Sequence, residues 1–233
     1  MRALRIFSKE LRDYFVSPIA YIVISVFLLV TGWFFFSPFF IFDQASLRDF
    51  FNLLPPVFSF IIPAMTMRLF SEEFNTGSYE ILETLPVNGR DIILGKFLAV
   101  AALVAALLVP TLSYAISVSL LGDLDWGPVA GGYMGALFLG GAYGAIGLFA
   151  SSLTKNQIVA FIIGAALCFA LTLVNKMVFF FPASVASVLG FLGADAHFQN
   201  IARGVLDSRD ILYFVSIMFL GLYGTSAVLE AKK

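Results

Sequence analysis

The sequence predicts an all-α integral membrane protein: six transmembrane helices preceded by an amphipathic interfacial helix. Three observations carry this reading. The 233 residues are 60% hydrophobic and 12% charged, whereas a soluble domain is about half apolar and a quarter charged. Mean hydropathy is +0.95. Six apolar runs approach or exceed the roughly 20 residues a helix needs to cross a bilayer. Too few polar side chains remain to coat a globule of this size, so the solvent is lipid.

Two units are expected, an interfacial helix over residues 1–17 and a single six-span domain over 18–233. In the first, Leu4, Phe7, Leu11 and Tyr14 fall on one helical face, and Arg2, Arg5, Lys9, Arg12 and Asp13 on the other. A basic amphipathic helix lies in the membrane interface. Pro18 marks the bend into the bilayer. The following apolar stretch, Ile19 to Phe42, is too long for the core of a cleavable signal and lacks a small-x-small cleavage site, so it stays in the membrane.

The spans read as Ile19–Phe40, Leu53–Phe70, Ile92–Leu121, Trp126–Leu153, Gln157–Val174 and Ile211–Leu229. Pro55 and Pro56 open the second, which also contains Pro63; Pro110 interrupts the third. With the N-terminus inside, the cytoplasmic face collects Arg2, Arg5, Lys9, Arg12, Arg68, Arg90, Lys96, Lys155, Lys232 and Lys233. Only Arg48, Lys176, Arg203 and Arg209 remain outside. That bias orients both termini to the cytoplasm. Residues 177–208 open with an apolar stretch too short to cross and return. They are expected to form an outer re-entrant hairpin broken at Pro182, buried against other helices. Phenylalanine runs near the outer ends (Phe34–Phe36, Phe39 and Phe40, Phe50 and Phe51, Phe179–Phe181) read as interfacial anchors. In span four, Gly132, Ala136, Gly140 and Gly144 recur every fourth residue, a strip that lets helices approach closely.

Several chemistries find no support. No span carries a charge near its middle, where an ion-coupled carrier would keep one. Lone Cys168 and lone His197 provide neither a zinc signature nor a nucleophile–base pair, and Asp195 and His197 read as part of a polar interfacial loop. Gly89 to Lys96, GRDIILGK, has five residues between its glycines and Phe97 where a phosphate-binding loop needs a hydroxyl. No catalytic residue, cofactor or metal site is therefore expected in this chain. The basic residues are scattered, which argues against nucleic acid.

The one sizeable cytoplasmic segment, residues 71–91, carries Glu72, Glu73, Glu80 and Glu83 with Tyr79, Ile81, Leu82 and Leu85. Thr76, Gly77 and Ser78 suit a helix start and Pro86 its end, while Asn88 is placed to cap the third span. A short acidic and apolar knob outside the membrane suits docking to a partner.

This segment, from Glu72-Glu73 through Thr76-Gly77-Ser78, Glu80-Ile81-Leu82 and Leu85-Pro86-Val87 to Leu94-Gly95-Lys96, resembles that of type-2 ABC exporter permeases. Phe7 to Leu11 with Ser17-Pro18, Pro63 to Glu73, and Asp195 to Asp210 resemble the gliding-motility-associated subgroup. The resemblance implies a six-span permease subunit whose coupling helix fits a groove on a separate ATPase. Glu72, Glu73, Thr76, Gly77, Ser78, Glu80, Ile81, Leu82, Leu85 and Pro86 would then be the coupling residues. It further implies two ATPase subunits holding ATP and Mg, a second permease half (a heterodimer favoured over a homodimer) and a place in the cytoplasmic membrane. Membrane lipids are the remaining partners. A non-transporting scaffold or channel-like subunit of an envelope complex is the alternative.

Overall fold

The computed structural model describes residues 2–42, 45–80, 88–177, 182 and 190–232. They form nine helices: α1 (Arg2–Val16), α2 (Pro18–Phe42), α3 (Arg48–Thr66), α4 (Arg68–Thr76), α5 (Gly89–Leu121), α6 (Trp126–Leu153), α7 (Gln157–Met177), α8 (Ala194–Ala202) and α9 (Ser208–Ala231). Six segments are long and apolar enough to cross a membrane, with α3 and α4 together making the second. The chain is a multi-pass membrane protein.

The α1–α2 break has a local cause. Ser17 Oγ accepts from the Ile19 amide at 3.3 Å, and Pro18 takes the first helical position, where a missing N–H costs nothing. The second span begins earlier than its sequence suggested. Pro55 and Pro56 lie a third of the way along α3 rather than at its start. Hydroxyls turn back onto the backbone beside the prolines: Ser59 to Pro56 O at 2.6 Å, and Thr66 to Ile62 O at 3.0 Å and Pro63 O at 3.3 Å. In lipid such local bonding accommodates prolines within a spanning helix.

α6 is the hub, packed against α3, α5, α7, α8 and α9. Its strip faces the interior of this chain: a Cβ added at Gly132 would overlap the Phe51 ring, one at Gly140 would overlap Val104, and one at Gly144 would overlap Val100. Ala136 is fully buried. A second small-residue seam joins α6 to α9, where Gly221 lies against Ala145 and Gly224 against Phe149. Buried hydroxyl pairs lock neighbouring spans, Tyr143 with Thr172 at 2.6 Å and Thr111 with Tyr133 at 3.1 Å, the polar cement available to helices in lipid.

The aromatic runs are in part core rather than interface. Phe35, Phe50 and Phe51 are buried and cluster with Tyr114 and Tyr133, whereas Phe34 is exposed. Rings on α2, α3, α5 and α6 fill one another's gaps with edge and stacked contacts, which a one-dimensional run of Phe does not disclose. Phe179–Phe181 and the rest of residues 178–181 and 183–189 of the expected hairpin lie outside the described residues. Of that region, α8 is seen packed on α3, α6, α7 and α9.

Candidate functional site

Both described chain ends meet the first turns of α5 and the last turns of α6 at one end of the bundle, here called the foot. Lys232 Nζ donates to Ser152 O at 2.6 Å and lies 4.1 Å from the Phe74 ring centroid. Its burial, with Lys155 nearby, holds its pKa below the ordinary lysine value. α1 runs across the start of α5. The crossing is close because position 95 is glycine: a Cβ there would overlap Ala3 O and the Ile6 side chain.

The next residue, Lys96, organises the foot. It is 1% exposed, and its ammonium donates to Glu73 Oε1 at 2.7 Å, Leu69 O at 2.8 Å and Glu10 Oε1 at 3.1 Å. All three donors are thus used. The Phe70 ring lies 5.1 Å away. One cation therefore joins α1, α4 and α5. Glu10 sits on the inward face of α1 beside Tyr14, whose hydroxyl donates to Met65 O at 2.7 Å. Burial drives the Tyr14 phenol pKa well above its ordinary value. Lys9 lies at the rim; burial disfavours its charge, but Glu10, Glu73 and Asp13 outweigh that and raise its pKa. Glu73 Oε2 is buried with no hydrogen-bond partner among the described residues.

Met67 interrupts the second span between α3 and α4, and Ser151 of α6 closes the gap. Its hydroxyl accepts from the amides of Phe70 at 3.0 Å and Ser71 at 3.1 Å and donates to Met67 O at 2.7 Å. The backbone groups freed by the interruption are satisfied by another helix, so α4 is fastened to α6 as well as to α3.

The expected coupling residues separate into three sets. Glu72 and Glu73 belong to α4, the end of the second span, and not to the helix that follows. Glu73 points inward to Lys96; Glu72 pairs with Arg68 at 3.6 Å on the surface. Thr76 ends α4 rather than beginning a helix, because Gly77 takes the left-handed conformation with φ of 72°, which glycine adopts without strain. Hydroxyls of Thr76 and Ser78 meet at 2.9 Å across this turn. Residues 78–80 are helical again, Tyr79 is buried against Phe74 with ring centroids 4.9 Å apart, and Glu80 is exposed. Ile81, Leu82, Leu85 and Pro86 lie outside the described residues. Asn88 precedes α5 but its side chain makes no cap bond; its carbonyl accepts from Asp91 N at 2.9 Å instead.

These features describe a foot in which α4, the end of span two, is tied to α1 and α5 through Lys96 and to α6 through Ser151, and stops at the glycine turn. The family model described as ABC-2 family transporter protein matches residues 4–191, from α1 through α7 to the approach to α8. The chain belongs to this family. Comparison with curated proteins gave no match. As an ABC-2 permease subunit it is a membrane transport component of a kind that works with ATPase partners.

At the far end a second polar group sits where the sequence suggested a loop. His197 of α8 is buried, with Nδ1 2.5 Å from Asp210 Oδ1 and Nε2 2.8 Å from Phe191 O. Its ring stacks on Tyr213 at 4.0 Å. Asp195 is buried in the first turn of α8, where the helix's positive end favours a carboxylate. The reading of Asp195 and His197 as interfacial loop residues is corrected: α8 folds onto the bundle and carries both inward. Among the described residues no three metal-ligating side chains are grouped to hold an ion.

Proposed function

We propose that this ABC-2 permease subunit converts movement of a separate ATP-driven subunit into tilting of spans two and three together, relative to a second permease half, through residues 76–85. Lys96 is the observation that carries the reading. It binds α4 to α5 and α1 at the point where the segment leaves the membrane domain, so a displacement of that segment moves three helices together. Orientation of the foot and both termini toward the cytoplasm is supported by the Lys and Arg bias. Assembly with a second permease half, a heterodimer in preference to a homodimer, follows the resemblance to the gliding-motility subgroup, as do two ATPase subunits holding ATP and Mg. The inner membrane is then its place, and a gliding-motility-type complex its setting.

Glu80 and Leu82, replaced together by alanine, should abolish co-purification of an ATP-binding subunit while membrane insertion stays intact. Unchanged co-purification would count against coupling through this segment. Accessibility tags between residues 76 and 80 that react only from outside would overturn the orientation as well.

A further inference from the structure

On the outside of the foot, between the first turns of α5 and the last turns of α9, runs a groove of 560 Å³. Ile93 of α5 and Phe219, Leu222 and Tyr223 of α9 supply its apolar walls. The Phe219 and Tyr223 rings are stacked with centroids 6.1 Å apart, yet they are 66% and 65% exposed, so they present open aromatic surface at bilayer depth. From Phe219 to Glu230 the helix advances about 16 Å, comparable to much of an acyl chain. The mouth opens where α5 begins and α9 ends, at the membrane surface. Arg90 lines one side and Glu230 the other. Arg90 is exposed and, among the described residues, has no side-chain partner. Among the described residues, Glu230 has only a 3.5 Å contact from the Ser226 hydroxyl.

We propose that this groove is a binding site for one phospholipid with a zwitterionic phosphoethanolamine headgroup. The guanidinium takes the phosphate by paired N–H donation, the Glu230 carboxylate takes the ammonium, and an acyl chain lies along Tyr223, Leu222 and Phe219. The charge pattern selects this class. A purely anionic headgroup would satisfy Arg90 but would face Glu230, with Asp91 adding its charge from the first turn of α5. A choline headgroup carries no N–H to donate to the carboxylate. The inference needs only the membrane-embedded chain and stands apart from the ATPase reading.

Native mass spectrometry of the full-length protein in mild detergent tests it, with dioleoyl phosphatidylethanolamine, phosphatidylglycerol or phosphatidylcholine added in turn. The wild type should retain phosphatidylethanolamine about tenfold more than either other lipid, the worth of one charge-assisted hydrogen bond. Arg90→Ala should lower that retention by about tenfold, with Arg90→Gln as the substitute if the alanine variant misfolds. Glu230→Ala should invert the preference, so that phosphatidylglycerol is held more tightly. Equal retention of the three lipids by the wild type, or no inversion in Glu230→Ala, would overturn the proposal. So would a shift of Arg90→Ala from dimer to monomer with lipid retention unchanged, which would identify a second copy of the chain as the occupant.

Discussion

Lys96 donates to Glu73 at 2.7 Å across the α4–α5 junction, and the same ammonium reaches Glu10 of α1. Removing one member of a buried ion group leaves the others charged and unpaired, which costs about 3–5 kcal/mol, whereas replacing the whole group by apolar side chains is often neutral. Lys96→Met alone should therefore lower the thermal unfolding midpoint in detergent sharply. Adding Glu10→Met and Glu73→Met should recover most of the loss. If Lys96→Met alone leaves the midpoint unchanged, the ion group contributes nothing and α1 is held by packing.

The closeness of α1 to α5 depends on Gly95. A side chain there meets the Ala3 carbonyl and Ile6, which cannot both yield while α1 keeps its place. Gly95→Leu should lift α1 from the bundle and speed tryptic cleavage after Arg5 and Arg12, with the spans still inserted. Gly89→Ala, six residues earlier with nothing within 4 Å of an added Cβ, serves as the matched control and should leave cleavage unaltered.

Ser151 makes a sharper test of how α4 is suspended. Ser151→Ala removes the acceptor for Phe70 N and Ser71 N and the donor to Met67 O. A buried donor left unpaired costs about 1–3 kcal/mol, so amide exchange of Phe70 and Ser71 should accelerate by about tenfold or more. Exchange in α7 should not change. Uniform acceleration along the whole chain would indicate a global loss of stability instead of a local hinge.

The spans were legible because apolar length is written in one dimension. Trp126–Leu153 is bounded in the sequence as in the structure, by Asp125 at one end and the polar Thr154–Lys155 at the other. The inward face of the small-residue strip is not written there. Gly132, Gly140 and Gly144 could serve contacts within or between subunits until Phe51, Val104 and Val100 are seen against them. Lys96 and Glu10 were hidden for a related reason. Each looks like an ordinary charge near a membrane surface, and only the folding of α1 across Gly95 brings them together over a separation of 86 residues. The turn at Gly77 misled in the opposite direction, since Thr-Gly-Ser suits a helix start as well as the left-handed end of a preceding helix. The continuation of the second span past Phe70 to Thr76 is braced by Ser151, which no local pattern announces.

His197 also carries a prediction about the far end. Its two ring nitrogens face the Phe191 carbonyl and the Asp210 carboxyl group. The contact with Asp210 pins α8 to α9 inside a buried site, with Tyr213 stacked beneath the ring. His197→Phe keeps the stacking but leaves Asp210 buried without its hydrogen-bond partner. It should destabilise the docking of α8 by about 1–3 kcal/mol, seen as faster amide exchange through residues 194–202 while α6 stays protected. Adding Asp210→Leu to His197→Phe removes the orphaned carboxyl group and should restore much of that protection. If His197→Phe alone exchanges like the wild type, apolar packing of Phe198 and Ile201 against Gly135 is sufficient to hold the helix, and the His197–Asp210 contact is not what secures this end.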